Sequence, residues 1–251
     1  MQYHGGKWRI APWIISHFPG HQCYVEPYGG GASVLLRKPR GKCEVYNDLD
    51  GEIVHLFRVA RDNGGRLRRL LDCTPFAREE FVASLSPEGG GALERARKTV
   101  VRSFLGLGGP TRPPCSSSFR SRASARRSYA ANWSRYPAAL DAIVRRLRGV
   151  VIEHRDALEV MAQHDAPTTL HYVDPPYVAS TRDNGSDYRH EMTDDDHRRL
   201  AACLKKLKGS VVLSGYASPL YDLLFAGWQR VERPVAASGG RRTEVLWLRI
   251  R

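Results

Sequence analysis

Asp174-Pro175-Pro176-Tyr177 closes an apolar run, Leu170-His171-Tyr172-Val173, and active sites of open α/β sheets lie beyond the carboxyl ends of their strands. These residue types suit one kind of chemistry. The exocyclic amino nitrogen of a nucleobase is a poor nucleophile because its lone pair is delocalised into the ring. A site that methylates it must draw that nitrogen toward tetrahedral geometry with two acceptors, and the carboxylate of Asp174 and a backbone carbonyl, most simply that of Pro175, could each take one N–H. Pro175 and Pro176 have no backbone N–H and a fixed φ, so the corner offers acceptors with little competing donation. Tyr177 adds a flat face on which a base swung out of the helix can stack. Taken alone, the tetrapeptide also reads as a rigid proline turn.

A second constellation lies near the N-terminus. Gly29-Gly30-Gly31 follows a short strand, Cys23 to Glu26, and opens a helix expected from Ala32 to Leu36. Without side chains there, a ligand can lie against backbone N–H groups. The next strand, Cys43-Glu44-Val45-Tyr46, ends at Asn47-Asp48, where an acid is placed to accept hydrogen bonds from ribose hydroxyls. The glycines are not G-x-G-x-x-G and no Lys-Ser/Thr follows them, which argues against dinucleotide and triphosphate sites.

The elements that must carry these residues read as an interrupted α/β sheet. Ile10 to Phe18 predicts a helix and Val150 to Glu153 a strand. Thr193 is a candidate N-cap ahead of Asp194-Asp195-Asp196, and Val211 to Leu213 and Glu244 to Leu248 predict later strands. Between 61 and 148 the chain is broken by Gly64-Gly65, Gly89 to Gly91, Gly108-Gly109-Pro110 and Pro113-Pro114. This stretch is expected to pack poorly, as a small basic insertion with a mobile loop between the catalytic segments 1–60 and 149–251.

Charge is concentrated in that insertion. Of the net +13 on 251 residues, Arg95 to Arg148 carries +12, with 13 Lys or Arg against the single acid Asp141. With the aromatics Phe104, Phe119, Tyr129, Trp133 and Tyr136 interleaved, this favours a polyanion such as double-stranded DNA, held by Arg112, Arg120, Arg122, Arg126 and Arg127. The five cysteines are far apart and never C-x-x-C, and the nine histidines show no ligand spacing. Neither a disulfide framework nor a metal site is expected. No signal segment or membrane-length apolar run is present, so a cytoplasmic protein with reduced thiols is expected.

Together these features resemble the Dam-type, DPPY-motif class of adenine-specific DNA methyltransferases. Tyr3-His4-Gly5-Gly6-Lys7 is similar to that family's N-terminal segment, Val25-Glu26-Pro27-Tyr28-Gly29-Gly30-Gly31 to its cofactor loop, and Tyr46-Asn47-Asp48 to its ribose-binding strand end. Leu213 to Tyr216 and Arg242 to Trp247 resemble its C-terminal elements. The resemblance implies a Rossmann-like sheet that binds S-adenosyl-L-methionine through Tyr3, Lys7, Glu26, the three glycines, Asp48, Asp156 and Asp174. It also implies methylation of a flipped adenine in duplex DNA, without a metal. Cytosine amino methylation uses a related corner, and Asp at its first position favours adenine. The insertion matches no Dam-type recognition domain, so no target sequence carries over.

Overall fold

The computed structural model describes residues 6–86, 89–107, 118–121, 128–182, 188–237 and 240–251. They fall into two compact units, one whose bulk is Asp50–Ile152 and one formed by Lys7–Leu49 with Glu153–Arg251.

A seven-stranded sheet has the order β3-β2-β1-β4-β5-β7-β6, with β1 Cys23–Glu26, β2 Cys43–Asn47, β3 Val151–Glu153, β4 Thr169–Val173, β5 Ser210–Tyr216, β6 Gln229–Ala237 and β7 Gly240–Arg249. β1 pairs in parallel with β2 and β4, and β4 with β5, whereas β7 runs antiparallel between β5 and β6. The chain builds outward from β1 toward β2 and then from β4 toward β5. The order therefore reverses between β1 and β4, and a crevice for ligands opens beyond their carboxyl ends. That is where the Gly loop and the Asp174 corner emerge. The central strands are apolar because both faces are covered: all five residues of β4 are buried.

Helices α1 (Ala11–Ile15), α6 (Ala157–Gln163), α7 (Asp194–Lys206) and α8 (Pro219–Leu224) accompany this sheet. Thr193 caps α7 as expected, in a capping box with Asp196. Leu200, Leu204, Leu213, Tyr221, Phe225 and Trp247 share one core. The helix expected to start at Ala32 is an irregular run of turns, with Leu36 N donating to Ala32 O and Lys38 N to Val34 O. Ala32 has φ +52°, a left-handed value that a helix cannot continue from. The strand β6 has no counterpart among the strands expected from sequence.

The unit Asp50–Ile152 is a helical assembly of α2 (Gly51–Asp72), α3 (Arg78–Leu85), α4 (Ala92–Leu105) and α5 (Tyr129–Leu147). Among the described residues its packing corrects the expectation of a poorly packed insertion, while the loop expected to be mobile falls largely outside them. Leu67, Leu71, Phe81, Val100, Leu105, Trp133 and Leu140 are buried, and Trp133 Nε1 donates to Thr74 O at 2.7 Å. Gly64-Gly65 does not end α2 but sits inside it, beside a kink at Asn63. The glycine serves close approach: a Cβ on Gly64 would lie 2.4 Å from Cγ2 of Val144 on α5.

Gly64→Ala sets two effects against each other. Alanine favours the helix by up to about 1 kcal/mol, while overpacking costs about 1–3 kcal/mol. Net destabilisation is expected by urea unfolding, with recovery in Gly64→Ala/Val144→Ala. A more stable single variant would show that the two helices have room to part.

Candidate active site

Lys7 is held first by the backbone. Its carbonyl accepts from Ile10 N at 3.0 Å and Ala11 N at 2.7 Å, starting α1, and Arg37 donates to Trp8 O at 2.6 Å while lying over the Trp8 ring. The N-terminal segment is thereby fastened to the chain just after the Gly loop. The Lys7 ammonium is buried, 3.1 Å from Asp174 Oδ1 and 3.7 Å from Glu244 Oε1. Burial opposes its charge, but the two carboxylates outweigh burial and hold its pKa above the ordinary lysine range.

Two carboxylates thus share one lysine. Burial pushes Asp174 up to about 6; Lys7 draws it down and Glu244 pushes it further up. Among the described residues Asp174 Oδ1 receives no hydrogen bond of good geometry, despite the nearby ammonium. This buried carboxylate keeps acceptor capacity.

Tyr177 is buried, at 5% exposure. Its hydroxyl donates to Glu244 Oε1 and lies 3.2 Å from Ser214 Oγ, which itself donates to Glu244 Oε1 at 2.5 Å. Lys7 Nζ sits 4.6 Å from the Tyr177 ring centre, and the Tyr216 ring meets it edge-on at 4.7 Å. A base stacked on Tyr177 must share that ring with the ammonium group. Burial and the adjacent carboxylates raise the phenol's pKa well above the usual range, so it remains a donor.

The Gly loop is shaped by its neighbours. Gly29 N donates to Asn47 O at 2.8 Å, and a Cβ on Gly29 would fall 2.1 Å from the Tyr46 ring, so the first glycine serves packing. Gly30 has φ +48°, the left-handed region that favours glycine; its N donates to Asp48 Oδ2 at 2.7 Å and its carbonyl accepts from Tyr46 Oη at 2.7 Å. Asp48 therefore holds the loop as well as standing at the strand end. Gly31 completes the turn into Ala32. Glu26 is buried, its Oε2 accepting from Tyr24 Oη at 2.6 Å and Leu35 N at 3.0 Å; burial pushes its pKa up to about 8. It fastens the far end of the same loop. Asn47 joins three segments, donating to Pro27 O and Arg155 O and accepting from Arg155 N. Next to Arg155, the exposed Asp156 caps α6 through Leu158 N and Glu159 N.

Asn47, Ser214 and Glu244 carry no individual sequence signal. Glu244 reads only as the first residue of an apolar strand. Tyr3, Arg112, Arg122, Arg126 and Arg127 lie outside the described residues. Arg120 donates to Gly106 O at 2.7 Å and lies over the Tyr129 ring. Among the described residues no group of His, Cys, Asp and Glu could hold a metal ion, and no helix is long and apolar enough to cross a membrane.

A mainly parallel sheet with a Gly loop after β1, an acid after β2 and Asp-Pro-Pro-Tyr at the reversal of strand order defines a Rossmann-like methyltransferase. Comparison with known proteins makes this specific. Residues 3–234 match the D12 class N6 adenine-specific DNA methyltransferase family, and the chain belongs to it. It is also 24% identical over 276 residues to Type II methyltransferase M1.LlaDCHI of Lactococcus lactis subsp. cremoris, covering 96% of this chain and 92% of that protein. The chain is an adenine-specific DNA methyltransferase, and its reaction requires a methyl donor.

Its pH dependence follows from the buried charges. If Asp174 accepts a hydrogen from the substrate as a carboxylate, kcat/KM should fall as pH drops through about 6. The groups acting on Asp174 are Lys7, Glu244 and Tyr177, with Tyr172, Glu26 and Tyr188 also within its field. Glu244→Gln keeps an acceptor for Tyr177 and Ser214 but removes a like charge, so the acid limb should move to lower pH. A limb that stays put or moves upward would show that Glu244 does not act on Asp174.

Proposed function

We propose that the protein transfers a methyl group from S-adenosyl-L-methionine to the amino nitrogen of an adenine rotated out of duplex DNA. The observation that carries this reading is the buried cluster of Asp174, Glu244 and Lys7, which holds two carboxylates against one ammonium. Such a cluster favours a further cation. S-adenosylmethionine, when bound, supplies an electrophilic methyl on positively charged sulfur, and the donor set fits it: a carboxylate for that charge, Asp48 for ribose hydroxyls and the strained Gly30–Ala32 turn for close backbone approach.

In this reading Tyr3, Lys7, Glu26, Gly29, Gly30, Gly31, Asp48 and Asp156 contribute to the cofactor side of the site. Asp174 and the Pro175 carbonyl accept the two amino hydrogens. Pro176 keeps the corner rigid, and Tyr177, held by Glu244 and Ser214, presents its ring to the base. The insertion at 61–148 holds the DNA backbone and reads its sequence.

Asp174→Ala separates binding from chemistry. Single-turnover methylation should fall by orders of magnitude, because the acceptor matters most as positive charge develops on the amino nitrogen, while duplex binding largely survives. Near-normal single-turnover rates would reduce the corner to a proline turn.

The insertion is tested separately with Arg122, Arg126 and Arg127 changed together to Gln, leaving the structurally bonded Arg120 in place. DNA affinity should drop, and the slope of log K against log salt should flatten by about 0.9 for each phosphate that the variant no longer neutralises. An unchanged slope would remove this segment from the DNA interface.

A further inference from the structure

The cysteines far apart in sequence are not all far apart in space. Cys23 and Cys43 are the first residues of β1 and β2 and are directly paired across these parallel strands. Their Sγ atoms lie 3.1 Å apart. Neighbouring strands are about 4.8 Å apart, within the roughly 4.4–6.8 Å between Cα atoms that a disulfide spans. Cys43 is exposed and Cys23 half-buried beside Val25, Val45 and Val160. The pair stands at the amino ends of the strands whose carboxyl ends carry Glu26 and Asp48.

We propose that Cys23 and Cys43 form a reversible dithiol–disulfide modification site, oxidised by a hydroperoxide. The two sulfurs have unequal roles. The exposed Cys43 sulfur attacks the peroxide; the O–O bond breaks, an S–O bond forms and the other oxygen leaves with the thiol proton, as water from hydrogen peroxide or as an alcohol from an organic hydroperoxide. The Cys23 sulfur then attacks the resulting sulfenic acid, forming the S–S bond and breaking S–O, and the departing hydroxide takes the Cys23 proton as water. Two thiols lose two electrons and the peroxide gains them. Burial and the adjacent Cys43 push the Cys23 thiol up to about 12, which suits it to resolve the sulfenic acid rather than to meet oxidant first. The bond would link β1 and β2 outside the catalytic crevice, so this site is independent of the reading of the methyl-transfer residues.

The test treats the full-length reduced protein with hydrogen peroxide, blocks remaining thiols and maps peptides by mass. The expected product is a Cys23–Cys43 cross-linked peptide about 2 Da lighter than the two thiols, restored by dithiothreitol, with Cys73 and Cys203 still open to alkylation. Cys23→Ser should divert Cys43 to the sulfinic acid, a gain of about 32 Da. Oxygen addition at Cys43 in the unaltered protein without a cross-link, a cross-link through another cysteine, or the same products with and without Cys23 would each overturn the proposal.

Discussion

A single buried ammonium facing one buried and one partly buried carboxylate sets the constraint on which the sheet-bearing unit depends. Removing Lys7 would leave two like charges facing each other, and a buried charge stripped of its partner costs about 3–5 kcal/mol, so the two carboxylates can share this space only with Lys7 in place. Lys7, Asp174 and Glu244 come from the N-terminal segment, the end of β4 and β7. This accounts for the antiparallel position of β7. Inserted beside β5, it pairs Glu244 with Tyr216 and brings its carboxylate to Ser214 and Tyr177. A C-terminal hairpin that looks like a simple edge extension therefore completes the site. The two hydroxyl donors on Glu244 offset part of its desolvation, which the more distant Lys7 does not do alone.

The other half of the crevice is held by hydrogen bonds to backbone groups. Asn47, fully buried, ties the loop after β1 and the loop after β3 to the end of β2. Asp48 and Tyr46 meanwhile grip Gly30 from its two polar groups. The left-handed backbone at Gly30 and Ala32 is kept by these bonds and by Ala32 N to Gly29 O at 2.7 Å. Strain at a ligand loop persists where the surroundings over-determine it. One side of the crevice is thus held by an ion cluster and the other by side chains that grip backbone groups.

What is legible in the sequence follows from this division. β1 and β4 are short runs that pass into proline or glycine turns and β2 is a short run that ends at Asn47-Asp48, so their positions and their site residues can be read directly. β6 cannot, because Arg230, Glu232, Arg233 and Pro234 belong to an exposed edge strand, where polar residues and proline are tolerated. The irregular run of turns after Gly31 reads as a helix because Ala-Ser-Val-Leu-Leu has suitable spacing and only backbone geometry reveals φ at Ala32. Glu244 is hidden by the apolar strand that follows it. The insertion looks loose because arginine-rich composition suggests a solvated surface. Arg97 instead bonds Glu94 and Glu80, and Arg102 bonds Glu52 and Ser84 O, so part of that charge is structural.

Such pairing changes what the +12 means for binding. An arginine paired within the helical unit has already given up part of its hydration, and its field is partly cancelled by its carboxylate partner. Arg97 and Arg102 therefore contribute less to attracting a polyanion than the formal count implies. The catalytic cluster has the opposite bias, two carboxylates to one ammonium in a buried setting. In the proposed reading a polyanion is favoured at the basic insertion and a small cation at the carboxylate cluster, so neither ligand competes for the same charge. Net charge alone would suggest uniform affinity for anions, whereas the sequence concentrates +12 between Arg95 and Arg148 and the cluster at Lys7 has one more carboxylate than ammonium.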